Sequence, residues 1–385
     1  MCDIKEQPDK NSCTDTKIVP VNEAVGTVLS HDITEIRPGE FKGRAFKKGH
    51  IIREEDIEHL QRLGKENIYI LQLKDDEMHE NDAACALARA LAGKGVAIAG
   101  EPNEGKINLV AEKGGLLKIN REALLNFNML GDVMCATIHN NSVVKEKQVI
   151  AGTRAIPLVL KRKIVEEAVK IADSAGGILR VEEIRKAKAG VVITGNEVYY
   201  GKIKDAFEPV IRKKVKALHG DIVGVYFAPD DTKFIEDRIR ELIDGGADII
   251  ITSGGMSVDP DDVTRFAIRN LGCEEMYYGS PVLPGAMFLV AYYDQVKSQE
   301  SGVKRKKSSL SGIPDSDLTT HNSHPIPILG IPACGMYADT TVFDLILPRI
   351  LAGEKIGRKE LAQLGHGGLC LKCETCRYPV CPFGK

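Results

Sequence analysis

Four cysteines fall in the last sixteen residues as Cys370-x2-Cys373-x2-Cys376-x4-Cys381, followed by Pro382. Thiolates this close together can wrap one soft ion or cluster, so the run is a metal-ligating pattern. Tetrahedral zinc held by all four, an iron–sulfur cluster, and unmetallated thiols for sulfur or metal delivery are all compatible with it. The run matches a bacterial ferredoxin motif except that four residues, not three, precede the last cysteine. A single such run argues against a two-cluster ferredoxin domain.

Two glycine turns follow apolar stretches. One is Thr194, Gly195, Asn196, Glu197; the other runs Thr252, Ser253, Gly254, Gly255, Met256, Ser257. Such turns let backbone N–H groups converge on an anion, and a following helix N-terminus adds a favourable field. The hydroxyls of Thr194, Ser253 and Ser257 add donors. The plain alternative is that any α/β domain needs tight strand-to-helix turns. Asp259, Asp261 and Asp262 come next. Carboxylates beside an anion pocket suit Mg²⁺, or can steer water. Equally, Asp261 or Asp262 could cap the following helix, worth about 0.5–2 kcal/mol. Glu197 and Asp205 are further acidic candidates, and Asp205 also reads as a helix cap.

These turns need a scaffold. The apolar runs at 189–195, 222–227, 248–252 and 325–331 read as strands buried on both faces. Between them, Phe207, Val210, Ile211, Val215 and Leu218 mark one amphipathic helix; Phe234, Ile235, Ile239, Leu242 and Ile243 mark another. Asp230 or Asp231 can cap the second, and 339–351 supplies a last helix. This alternation predicts a three-layer α/β/α domain with a mainly parallel sheet over 161–355. In such sheets ligands bind beyond the carboxyl ends of the strands. A helix at 163–175 opens that domain, and the polar run 298–325 reads as a mobile surface loop.

The first half is less regular. Residues 1–17 read as a disordered tail and 18–160 as a smaller mixed α+β region. Ile57, Leu60 and Leu63 give one helical face, with a strand at 68–71. A helix is expected at 82–91 and short strands or turns at 97–99, 106–111 and 132–139. His79, Glu80, Asn81 and Asp82 could bind a metal or substrate, though a solvated turn capping a helix is the simpler reading. Lys42, Arg44, Lys47 and Lys48 could receive an anion, or be ordinary surface charges.

Composition narrows the classes. The chain has 385 residues and a formal charge of −2, which gives no global signal for nucleic acid or a membrane surface. No run of 18 or more apolar residues exists, so no membrane span is expected. Ten cysteines could suggest disulfides, but the chain's size and its polar N-terminus, which has no signal-peptide apolar core, argue for a reducing, cytoplasmic compartment. Tryptophan is absent, which weakens any reading that needs a large aromatic surface.

The stretches TGNEVYYGKIKDAF (194–207), ADIIITSGGMSVDPDDVT (247–264), YGSPVLPG (278–285) and ILGIP (328–332) come in an order that resembles the molybdopterin-binding domain of molybdenum cofactor biosynthesis proteins. The resemblance covers about 170–355. PGEFKGRAFKKGH (38–50) and HENDAA (79–84) resemble a divergent group of stand-alone anaerobe proteins that carry this domain. The resemblance implies that the pterin dithiolene and its phosphate bind at the strand ends. One branch of the family adenylylates molybdopterin; the other inserts molybdate into adenylylated molybdopterin with Mg²⁺ and releases AMP. The Ser-Gly-Gly-Met-Ser-Val loop followed by Asp262 is closer to the insertion branch.

Carried over, Gly254, Gly255 and Ser257 contact pterin or phosphate. Thr194, Gly195, Glu197 and Ser253 complete the binding set, and Gly330 and Pro332 line its far side. Asp262, with Asp259 and Asp205, forms the acidic set near metal or pyrophosphate. The branch also implies a homodimer. Two departures stand out. Gly330–Ile331–Pro332–Ala333–Cys334–Gly335 lacks the glycine and asparagine that usually follow the proline, and Asp259 replaces a usual glycine. The expected function is molybdate insertion. The alternatives are a non-catalytic carrier of molybdopterin or finished cofactor serving a molybdoenzyme, and a hydrolase acting on a nucleotide.

Overall fold

The computed structural model describes residues 16–27, 29–37, 41–48, 50–71, 74–256, 259, 262–273, 275–295 and 325–385. The expected loop at 298–325 lies outside them except for Pro325, as does the expected tail except for its last two residues. Thr16 and Lys17 open the strand Thr16–Pro20, which pairs antiparallel with Asn67–Leu71.

The chain forms two compact units. One comprises Met1–Ile138 and Val144–Val181, the other His139–Val143 and Glu182–Lys385. This moves the expected boundary from 161 to 182. Helix Arg162–Ser174 sends Val165, Ala168 and Ala172 into the core of the first unit, beside Leu87 and Leu91 of helix Glu80–Leu91. These helices cover an antiparallel sheet ordered Val96–Asn103, Lys106–Ala111, Val149–Ala155, Val133–Thr137. Ile107, Leu109 and Ala111 are buried in alternation, the period-2 pattern of a one-sided strand. A smaller core of Val21, Leu29, Ile52, Leu60 and Ile68 lies in the first stretch of this unit.

His79 joins those two parts of the first unit, and it is not in a solvated turn. It is 1 % exposed, and its Nδ1 accepts the Asn81 N–H at 3.1 Å as the cap of Glu80–Leu91. Its Nε2 bonds the Ser30 carbonyl, so Nε2 carries the proton. Burial, then Lys48, holds its pKa below the ordinary histidine value. Arg44 is committed to Asp32 at 2.8 Å, and the ammonium of Lys48 lies 3.6 Å from Asp82.

The second unit holds a six-stranded sheet ordered Asp221–Ala228, Lys188–Thr194, Ile249–Ser253, Ile326–Ile331, Leu289–Tyr293, Glu275–Tyr278. The first four are parallel; Leu289–Tyr293 pairs antiparallel with Ile326–Ile331, and Glu275–Tyr278 antiparallel with Leu289–Tyr293, extending the predicted sheet. Side chains leave each central strand to opposite faces in turn. Val191, Ile193, Ile249, Ile251, Leu329 and Ile331 enter one core with helices Phe207–Ala217 and Val342–Leu351. Val192, Ile250 and Ile328 enter the other, with helices Thr232–Asp244 and Thr264–Asn270. The near-continuous apolar runs are the direct consequence of burial on both faces.

The cysteine-rich end is not a separate tail. Phe383 is 3 % exposed in the first of these two cores, with Tyr378, Cys370 and Cys381 packed against it. Among the described residues no helix is long and apolar enough to cross a membrane.

Candidate functional site

From strand Lys188–Thr194 the chain passes through helix Phe207–Ala217 to Asp221–Ala228 on one side. It then returns through helix Thr232–Asp244 to Ile249–Ser253 on the other side. The two helices lie on opposite faces. The crevice beyond Thr194 and Ser253 is therefore the topological switch point of the sheet, where α/β folds bind ligands. Register pairs Ile193 with Ser253 and Ser253 with Ile331, so the strand ends are level.

Both predicted glycine turns meet here. Gly195 has φ +139°, and a Cβ on it would stand 2.8 Å from a carboxylate oxygen of Glu197, so Glu197 folds back over this turn. Gly254 and Gly255 have φ +83° and +56°. A Cβ on Gly254 would meet the Thr194 carbonyl at 2.1 Å; one on Gly255 would meet Thr264 Oγ1 at 2.3 Å. Only glycine satisfies both the left-handed backbone and this approach.

Beneath the glycines lies a buried hydroxyl floor. Thr194 Oγ1 donates to the Ser253 carbonyl at 3.0 Å and stands 2.8 Å from Thr264 Oγ1. Thr194 has one proton, already given to Ser253, so Thr264 is the donor between the two hydroxyls. Ser253 Oγ is fully buried and has no hydrogen-bond partner. An unpaired buried hydroxyl costs about 1–3 kcal/mol, a cost that an acceptor in the crevice would remove.

The acidic candidates separate. Asp205 accepts the Phe207 and Glu208 N–H groups at 2.9 and 2.8 Å, so its carboxylate holds the start of helix Phe207–Ala217. Asp262 does not cap the next helix, Thr264–Asn270, whose N-cap position is Val263 and has no side-chain cap bond. Instead Asp262 and Asp259 close a turn: Asp262 N–H donates to the Asp259 carbonyl at 3.0 Å, and Asp259 N–H to the Asp262 carboxylate at 3.2 Å. Ser257 and Asp261 lie outside the described residues.

Gly330 is level with Thr252 and buried, but a Cβ there would meet Met256 Cε at 2.4 Å. It makes room for Met256 rather than opening onto the crevice. Pro332 is the N-cap of a short 3₁₀ turn, Ala333–Met336, in the stretch that departs from the usual family pattern. Met256, Asn196 and Asp230 were named from the sequence, but their contacts were not legible there, and neither was any role for Thr264. Asn196 N–H donates to Asp230 Oδ2 at 3.0 Å, locking the first turn to the neighbouring strand end. Asp231, the other acidic residue there, is the cap of helix Thr232–Asp244.

Residues 190–351 match the family model described as a probable molybdopterin binding domain. That part of the chain is similar to the molybdopterin-binding domain family. Residues 18–72 match a second model, a domain of unknown function. A CinA-like protein of Mycobacterium avium is 38% identical over 90 residues, covering 22% of this chain and 21% of its own length. One from Mycobacterium tuberculosis is 36% identical over 78 residues, 20% of this chain and 18% of its own length. The chain thus spans about a fifth of the curated relatives it matches. Among solved structures, the tungsten cofactor synthesizing protein MoaB from Pyrococcus furiosus is 15% identical. It covers 44% of this chain and 91% of its own, with a TM-score of 0.30. Within this second unit the two strand-end turns lie at the switch point of the sheet, with the buried Ser253 hydroxyl at the end of strand Ile249–Ser253.

Cys370, Cys373, Cys376 and Cys381 are not at these strand ends. They line a cavity of about 390 Å³ together with Cys334, which follows Pro332 by two residues. Among the described residues no three His, Cys, Asp or Glu groups form a metal-binding set.

Proposed function

We propose that this chain acts in molybdenum cofactor biosynthesis by binding adenylylated molybdopterin at the Thr194/Ser253 crevice and inserting molybdate with release of AMP. The observation that carries this reading is the unpartnered, fully buried hydroxyl of Ser253, between two glycine turns at the switch point. An anionic ligand would accept a hydrogen bond from that hydroxyl, and the turns allow its close approach. Asp262 and Asp259, on one turn after the Gly254–Gly255 loop, are the carboxylates suited to Mg²⁺ beside a pyrophosphate. Mg²⁺ would supply charge neutralisation at that leaving group. The free thiols of the described cysteines suit a reducing cytoplasm.

The test combines binding and turnover on the full chain. Adenylylated molybdopterin, molybdate and Mg²⁺ should release AMP. Ser253→Ala should keep the fold, because it removes a hydroxyl with no partner, and weaken ligand binding by about 10-fold, roughly 1.4 kcal/mol. Asp262→Asn should abolish AMP release with binding retained. Absence of any molybdopterin binding would overturn the reading.

A second reading is a carrier that binds molybdopterin or finished cofactor for a recipient molybdoenzyme. The 3₁₀ turn Ala333–Met336, in place of the usual glycine and asparagine after Pro332, favours it. Tight binding with no AMP release under any metal condition would select this reading.

A further inference from the structure

We propose that Cys370, Cys373, Cys376 and Cys381 together hold one thiophilic metal centre, Zn²⁺ or an iron–sulfur cluster, in the cavity they line beside Cys334. Of the eight described cysteines, all free, these five share a single cavity, though four come from the chain end and one follows a central strand. Spacing alone brings four thiols together in sequence. The fold sets them along the wall of one cavity and adds the fifth.

The segment is a closed loop pinned at its ends. Gly384 N–H donates to the Gly367 carbonyl at 2.9 Å, and a Cβ on Gly367 would meet the Lys385 carbonyl at 2.4 Å. Cys370 N–H donates to the Leu283 carbonyl, and Leu283 N–H to the Gly368 carbonyl, both at 2.8 Å. On the other side Tyr378 and Phe383 pack edge to face, their ring centroids 6.3 Å apart, on the domain core. Cys370 and Cys381 are thereby half-buried and held, whereas Cys373 and Cys376 lie exposed between them. The four sulfurs do not stand in one ligating set; closing the exposed turn over the cavity is what metal binding requires.

The surroundings suit soft, anionic ligands. Lys372 and Arg377 line the same cavity and offset the charge of four thiolates. Two exposed free thiols are otherwise an oxidation liability, which ligation removes. Each thiol loses a proton on ligation, so filling the centre with Zn²⁺, or with a cluster transferred whole from a donor, releases up to four protons and needs no electron transfer. The proposal stands whether or not the strand-end crevice binds a pterin.

The test uses the full chain purified anaerobically. Elemental analysis should find about one zinc, or iron with matching acid-labile sulfide, per chain. Sulfide and visible absorption distinguish the cluster from zinc, and either occupant supports the proposal. Protein stripped with a chelator and kept reduced should bind one equivalent of added Co²⁺ with thiolate-to-cobalt charge-transfer absorption. Cys373→Ala/Cys376→Ala should lose both the metal and that absorption; Cys85→Ala/Cys273→Ala should keep them. If the double variant misfolds by circular dichroism, Cys373→Ser alone must lower Co²⁺ affinity at least tenfold. Metal-free protein that gives no thiolate–cobalt absorption would overturn the proposal, as would full retention of that absorption in the Cys373 variants.

Discussion

The Oγ1 atoms of Thr194 and Thr264 stand 2.8 Å apart in the buried floor beneath Gly254 and Gly255, although 70 residues separate them. Thr264 donates, Thr194 accepts, and Thr194 in turn donates a hydrogen bond to the Ser253 carbonyl. A short relay of hydroxyls thus ties the first glycine turn to the helix behind the second.

That relay predicts non-additive stability losses. Thr194→Val removes two bonds and leaves buried partners unpaired; Thr264→Val removes one. Each should cost about 1–3 kcal/mol, with the double variant costing less than the sum because the shared bond is counted once. Urea denaturation of the four proteins is the check. Strict additivity would mean that the relay carries no energy.

Gly254→Ala should cost more than about 2 kcal/mol, since left-handed strain adds to a contact at 2.1 Å with the Thr194 carbonyl. Gly246→Ala is the control. Its φ is +90° with nothing within 4 Å of the new methyl, so it should cost only the backbone strain, about 1–2 kcal/mol. Comparable Tm losses would show that close approach at Gly254 is unimportant.

His79 should make the first unit acid-sensitive. Its folded pKa lies below its ordinary value of 6.5, chiefly through burial, so the unfolded chain takes up the proton first on acidification. Stability is therefore fully present above the unfolded value and lost as pH falls below it. His31, also lowered by burial and then by Lys65, acts in the same window. His79→Asn keeps an oxygen that can cap the helix but cannot titrate. Between about pH 7.5 and about pH 5 its stability should change less steeply than wild type, by up to roughly 1.4 kcal/mol per pH unit. Parallel pH profiles would remove His79 from this role.

Phe383→Ala should cost about 3–5 kcal/mol, because this residue is 3 % exposed in a core of the second unit. Val380→Ala, three residues earlier and 90 % exposed, should stay within about 0.5 kcal/mol of wild type. Thermal unfolding of both separates a built-in chain end from an appended one.

Much of the domain was legible in the sequence. Val191, Val192 and Ile193, or Ile249, Ile250 and Ile251, are apolar in succession because successive side chains enter opposite cores. That is a local property, readable from a few residues. The glycine turns were legible for the same reason, since a strand must end where its apolar run ends. The cysteine spacing was visible without any fold at all.

What tertiary structure alone decided depends on which strands become neighbours. Sheet order brings Thr264 to Thr194, puts Met256 over Gly330, and leaves Ser253 without a partner. It also commits helix Arg162–Ser174 to the first unit, although its amphipathic pattern fits either. Periodicity encodes which way a side chain points; it carries no information about what arrives from 70 residues away.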